Sequence, residues 1–511
     1  MVVLGRTPLS VADVVAVARH HAPVELAADL DDAMAGSRAA VEAAVAGDRP
    51  VYGVTTGFGA LATTRVSADD AARVQYAVVQ SHAAGMGPDV EAEVVRAMQL
   101  LKARTLAAGR SGVRPQLVRA IAALLDAGIT PAVPELGSLG ASGDLAPLAH
   151  AAIVLLGNGW VLEDEEGGTS RRRADAGPVL AAAGIEPIAL EAKEGLALIN
   201  GTEGMLAHLC LALADLDVLL PTLDVTCALS VEALRGTDAS FAERISALRP
   251  HAGQARSAAN LRALLASSPI VASHRDSPHA VQDAYSLRCA PQVHGAAREV
   301  VAWVRGVVEV ELASVTDNPV VFGETGEVVS TGNFHGQPLA YAADFATIAL
   351  ADLAAIAERR IDRLLDPARS DGLPPFLAPR AGVNSGFMLA HYTAAALVNR
   401  LRGHATPASC DTISTSAGQE DHVSMGWNAC RSLRAAVADA MRVAAIELVC
   451  AAEAVELRGI PPAAATAAVI AALREVVPRM DVDRFLAPDL AAAEQLVRTG
   501  AVLDALPEPI S

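Results

Sequence analysis

Four apolar runs occupy much of the chain after residue 204, at 205–220, 337–366, 386–403 and 429–459. Each repeats its apolar positions with the period of a helix rather than a strand. They are too nearly all-apolar to lie on a surface, so they predict the centre of a helical bundle, some faces of which bury against another subunit. Pro367 and Gly459 supply stops. A composition that is 52% hydrophobic and only 3% aromatic suits Ala-, Leu- and Val-packed helices better than a sandwich or barrel. The fold class is therefore mainly α. Charges such as Asp344, Asp352 and Glu358 interrupt the runs, which fits a protein core and not a bilayer, so no membrane span is read.

This pattern divides the chain into three segments. Residues 1–204 alternate short helical stretches with glycine-rich loops and form an expected N-terminal domain that carries the chemistry. Residues 205–460 are the central bundle, and 461–511 add two short amphipathic helices, near 463–476 and 490–502, packing on it. Residues 163–177, charged and glycine-bearing, read as a solvated hairpin or loop.

A net charge of -18 argues against a nucleic-acid surface, which needs clustered cations to replace phosphate counterions. The expected partner is a small molecule. Lys102 and Lys193 are the only lysines, and neither follows a glycine, so there is no phosphate-cradling G-K-[ST]. A pyridoxal-phosphate enzyme would have to use one of these two for its Schiff base, in a cofactor site nothing else announces. Six cysteines without a C-x-x-C pairing read as reduced, mostly buried thiols, and no secretory signal is visible, so a cytoplasmic location is expected. Among 13 histidines there is no H-E-x-x-H, and no metal site is predicted.

The stretch GSLGASGDLAPLAH, residues 137–150, sets the least restrained backbone of the chain ahead of an apolar helix. It is no nucleophile elbow, because the residue two after Ser142 is Asp144 instead of glycine. Its glycines fall at 137, 140 and 143, without the spacing or the preceding strand of a dinucleotide loop. Two readings of Ala141-Ser142-Gly143 remain. In one, SGDL is a helix-capping turn. In the other, the small neighbours let the Gly143 nitrogen close on the Ala141 carbonyl, and loss of water there and from the serine leaves an electrophilic methylidene-imidazolone. Asp144 would then assist the closure or cap the helix after it.

Further motifs accompany this one: YGVTTGFG (52–59), SHAAGMG (81–87), EGLALINGT (194–202), QDAYSLRCAPQVHG (282–295), DNP (317–319), GNFHG (332–336) and QEDHVSMG (419–426). Together they resemble the aromatic amino acid ammonia-lyase family. The resemblance implies a helical fold of the aspartase/fumarase-like superfamily, a homotetramer whose active sites take residues from more than one subunit, and 4-methylidene-imidazol-5-one (MIO) formed from Ala141, Ser142 and Gly143 with no external cofactor. It implies Tyr52 as the base that removes the β-proton, which requires its hydroxyl to titrate below its ordinary range. It implies Arg288 as the fork that grips the substrate carboxylate. Asn200, Gln282, Tyr285 and Gln419 would orient substrate and ring, and Phe334 would pack on the substrate side chain.

His82 and Glu420 follow the histidine branch of the family, in which a carboxylate accepts from an imidazole N–H and a second polar wall faces it. The expected substrate is L-histidine, the expected products urocanate and ammonia. The alternative within the same fold is an ammonia-lyase or 2,3-aminomutase acting on tyrosine or phenylalanine. A catalytically silent helical oligomer, or a fumarase-like lyase without a modified ring, is the third reading. Against that lyase stands the absence of its G-S-S-x-M-P-x-K-x-N loop.

Overall fold

The structure is a computed structural model that describes residues 1–47, 50–57, 66–67, 70–164, 171–277 and 281–511. Helices Glu203–Ala233, Ala290–Ala313, Gln337–Leu365 and Gly426–Leu457 are its longest elements. The first of these is apolar on every face and buried almost throughout, as such a helix must be. It corrects the expected stop at Leu220. The helix runs on past Pro221 because Leu219, Leu220 and Leu223 are all buried, while the Thr222 hydroxyl donates to the Val218 carbonyl at 2.7 Å within the interrupted turn. Glu203–Ala233 and Gln337–Leu365 are long and apolar enough to cross a bilayer, yet more than half of each apolar stretch is buried inside the protein.

The chain forms two compact units. The first comprises Met1–Leu211, Arg305–Ala343 and Pro407–Arg431, and the second Ala212–Val304, Asp344–Thr406 and Ser432–Ser511. All the described strands belong to the first unit, in small sheets of two or three strands. Trp160–Asp164 and Arg171–Asp175 pair antiparallel, so the charged segment is a hairpin, residues 165–170 lying outside the described residues. Pro134–Leu136 pairs antiparallel with Met86–Asp89. This overturns the expectation that no strand precedes the glycine-rich stretch; the strand is three residues long and holds a proline, too little for a sequence pattern to register.

Within the first unit, helices Ala71–His82, Leu145–Leu155 and Glu194–Ile199 pack against one another. The ends of these helices carry motif residues. His82 closes the first, Ser142 and Gly143 lie just ahead of the second, and Asn200 is the residue after the third. In the second unit the helices are joined by buried polar clusters such as Arg360 with Glu447.

Candidate active site

The glycine-rich stretch is bent back on itself by residues in the left-handed region: Gly140 at φ 74°, Ser142 at φ 50° and Gly143 at φ 78°. Such a conformation is strained for serine and free for glycine. Gly201 sets the strain in place. Its carbonyl accepts from Asp144 N at 2.7 Å, and its own N–H donates to the Ser142 carbonyl at 3.3 Å. The approach is so close that a Cβ added at Gly143 would stand 1.8 Å from the Gly201 oxygen. No side chain is tolerable there.

Asp144 occupies the N-cap position of Leu145–Leu155, but its side chain makes no cap bond to that helix. The expectation of a local cap is thus corrected. Its Oδ2 accepts from Met205 N at 2.9 Å, at the start of Glu203–Ala233, and Oδ1 accepts from the Ser138 hydroxyl at 3.1 Å. Burial raises its pKa to about 7, a rise that Glu203 adds to and these hydrogen bonds oppose.

Two cavities of about 580 and 480 Å³ share Tyr52, Ser142, Asn318 and Glu420 in their walls. The larger is lined also by His82 and Asn200, the smaller by Ala141, Phe334, His335 and Gln419. Gly143 is buried directly behind Ser142. Of the residues singled out in the sequence, the first unit therefore gathers Tyr52, His82, Ala141, Ser142, Asn200, Phe334, Gln419 and Glu420 in the walls of these two cavities, with Gly143 next to Ser142 in the chain. The last two residues of the YGVTTGFG motif, Phe58 and Gly59, lie outside the described residues.

Burial lowers the pKa of His82, while a backbone bond at Val78 and the nearby Glu420 carboxylate pull it the other way. His82 Nδ1 lies 3.1 Å from the Ser81 hydroxyl. Glu420 Oε2 accepts from the Thr415 hydroxyl at 3.1 Å. Asn200 is the most constrained wall residue. Its Nδ2 donates to the Asn318 carbonyl at 2.9 Å and to Asp317 Oδ1 at 3.3 Å, while its buried Oδ1 has no hydrogen-bond partner among the described residues.

Gln282, Tyr285 and Arg288 belong to the second unit and are not among the residues lining these cavities. Tyr285 is 71% exposed, Arg288 stacks 4.5 Å from its ring centroid, and Arg288 Nε donates to the Asp283 carbonyl at 2.9 Å. A helix of four residues, Tyr285–Arg288, presents them together.

Sequence reasoning did not single out Asn318, which lines both cavities and whose Oδ1 accepts from Thr331 N at 2.8 Å. The DNP motif was its only signal. Nor did it assign the two lysines, whose rarity was used only to exclude cofactors. Both are buried in ion pairs, Lys102 with Glu203 at 2.9 Å and Lys193 with Asp317 at 2.7 Å, which leaves no amine displayed for a Schiff base.

The chain is similar to known proteins over nearly its whole length. The chain is 55% identical over 508 residues to a histidine ammonia-lyase of Streptomyces avermitilis, covering 99% of this chain and 98% of that one. It is 54% identical to its counterpart in Streptomyces coelicolor over the same shares of each chain. Among solved structures, histidine ammonia-lyase from Trypanosoma cruzi superposes with a TM-score of 0.90 at 39% identity, covering 99% of this chain and 96% of that one. Tyrosine aminomutase from Streptomyces globisporus superposes at 0.93 and 37%, covering 100% of each. Aromatic amino acid lyase is the family that matches residues 9–475. With nearly its whole length accounted for in this way, the chain belongs to the aromatic amino acid lyase family.

Proposed function

We propose that the protein acts as a histidine ammonia-lyase, converting L-histidine to trans-urocanate and ammonia through MIO made from its own Ala141, Ser142 and Gly143. The residues fit that group. Ser142 and Gly143 already hold the bent backbone that ring closure needs, and Gly143 is crowded as only a glycine can be. The ring supplies an electrophilic carbon that turns a poor leaving group, the amine, into a better one.

The chain's own groups do the rest. Tyr52, which lines the same two cavities as Ser142, is the base for the β-proton. Asn200 and Gln419 orient the substrate, and Phe334 packs on its side chain. His82 and Glu420 receive the imidazole, Glu420 as acceptor of a ring N–H. Burial favours the neutral form of His82, in which the ring offers one donor and one acceptor. Arg288 takes the carboxylate, with Gln282 and Tyr285 beside it. We infer that these three reach the site from a neighbouring subunit of a homotetramer, a reading supported by the exposure of Tyr285 and by the family resemblance. Free, mostly buried cysteines support a reducing, cytoplasmic location.

The observation that carries the substrate is the presence of His82 and Glu420 in one wall with Tyr52 and Ser142. A phenyl ring would offer the Glu420 carboxylate no donor beyond the Thr415 hydroxyl it already has, at a loss of affinity. A phenol would supply one, and the likeness to a tyrosine aminomutase keeps tyrosine as the second reading. Incubation with histidine, tyrosine and phenylalanine, following the conjugated acrylate and any β-amino acid, separates them. Histidine is expected to be turned over best. Faster turnover of tyrosine would overturn the assignment.

A further inference from the structure

Of 40 lysines and arginines only Lys102 and Lys193 are lysines, and both are buried and linked to Asn200, one directly and one through Asp317. Lys102 Nζ donates to the Asn200 carbonyl at 2.7 Å. Lys193 Nζ donates to Asp317 Oδ2 at 2.7 Å, and Asp317 Oδ1 accepts from the Asn200 amide. Asn200 is thus held by backbone and side chain at once. The next residue, Gly201, grips Ser142 and Asp144, the two neighbours of Gly143. Glu203, buried and paired with Lys102, lies against that grip: a Cβ on Gly201 would stand 2.3 Å from Glu203 Oε2. A compact ammonium suits this place, since it donates to a carbonyl and stands as a point charge against a carboxylate where a planar guanidinium would need more room.

We propose that Lys102, braced by Glu203, is a positioning residue for ring formation: it locks the 200–203 turn so that Gly201 presses the Ala141-Ser142-Gly143 backbone into the form that closes. In that closure a bond forms between Gly143 N and Ala141 C. The Ala141 oxygen leaves as water with the amide protons of Ser142 and Gly143, giving a C=N bond to Ser142 N. The Ser142 hydroxyl leaves as a second water with the Cα proton, giving the exocyclic double bond. The ring spans three residues that no single hydrogen bond would hold, and displacement by an ångström slows such a reaction about 100-fold.

The inference rests on the function proposed above, and intact mass separates the two. If the wild-type protein is not lighter than its sequence by two waters, that reading of function falls. If it is, the Lys102→Met chain is expected to stay folded by circular dichroism yet to lose its two waters about 100-fold more slowly after synthesis, with Lys102→Arg recovering part of the rate. Because Lys102→Met leaves Glu203 buried without its cation, the neutral double variant Lys102→Met/Glu203→Gln is read in parallel and is expected to show the same lag. Full loss of two waters at the wild-type rate in either folded variant would overturn the proposal. So would failure of both to fold, which would make the pair a folding element.

Discussion

Glu203 and Glu447 are both buried glutamates that face a buried cation, one in each unit, and their surroundings differ. Glu447 is saturated. Arg360 donates to both of its oxygens, Ser230 Oγ donates to Oε1 at 2.7 Å, and Thr226 Oγ1 donates to Oε2 at 2.8 Å. The cluster ties three long helices with every carboxylate lone pair engaged, which is what makes a buried pair tolerable. Glu203 is left short. Lys102 lies 2.9 Å from Oε1 in an ion-pair contact, but neither oxygen gains a well-oriented hydrogen bond. Burial of charge at Glu447 closes upon itself; at Glu203 it converges on the backbone of the serine loop and leaves both acceptors without a hydrogen bond among the described residues.

The largest effect expected is at Ser142. Ser142→Ala removes the atoms that become the exocyclic carbon, so turnover should fall by at least about 1000-fold while the chain keeps its full sequence mass and its fold. Retained activity would place the electrophile elsewhere. Next comes a direct test of the contrast. Glu447→Ala strands Arg360 in the core and should lower stability by roughly 3–5 kcal/mol, read from denaturant unfolding. Chains that fold should still lose both waters at the wild-type rate. Blocked ring formation in folded Glu447→Ala would erase the distinction between the two glutamates.

Both halves of that contrast differ in how far the sequence reveals them. The long helices were legible because their apolar periodicity extends over many turns, and Gln337–Leu365 begins where its pattern does. The first run was read too short, ending at 220, since the helix passes through Pro221 where burial on both sides overrides local propensity. At the site, Ser142, Tyr52, His82 and Glu420 were legible as motifs whose residue types state their chemistry. The Lys102–Glu203 pair was not. It joins residues 101 positions apart in sequence through contacts that leave no period or spacing. Asp144 was read half-way: its place before a helix is visible in SGDL, but the helix it caps, Glu203–Ala233, is distant in sequence.

Asp144 sharpens the contrast through pH. Its pKa of about 7 in the folded chain exceeds the ordinary 3.8, so the folded state keeps the proton where the unfolded state has lost it. Stability from this group is therefore fully present below about pH 4 and declines as pH rises towards 7, with a limiting slope of about 1.4 kcal/mol per unit. Denaturant midpoints of wild-type and Asp144→Asn protein between about pH 4.5 and 7.5, values bracketing most of that window, should diverge in slope, the variant's being less negative. Parallel curves would mean that Ser138 and Met205 hold the carboxylate ionised after all.

The smallest effect concerns a third glutamate, Glu420, which lies half-buried in the cavity wall with Thr415 as a hydrogen-bond donor. Unlike Glu447 it is not saturated, and unlike Glu203 it is not closed off from the cavity, so its capacity is available to a ligand. Glu420→Gln preserves shape and removes charge. A neutral amide still accepts one bond, but more weakly than a carboxylate, so kcat/KM for histidine should fall by about 10- to 100-fold, within the range a lost polar contact supports. Stability should barely move, since no buried cation depends on Glu420. For phenylalanine, which offers no ring N–H, the same change should leave kcat/KM unaltered or raise it, because an uncompensated charge has been taken from the wall. Equal losses for both substrates would show that Glu420 supports the loop, through the Thr415 bond, and does not read the ring.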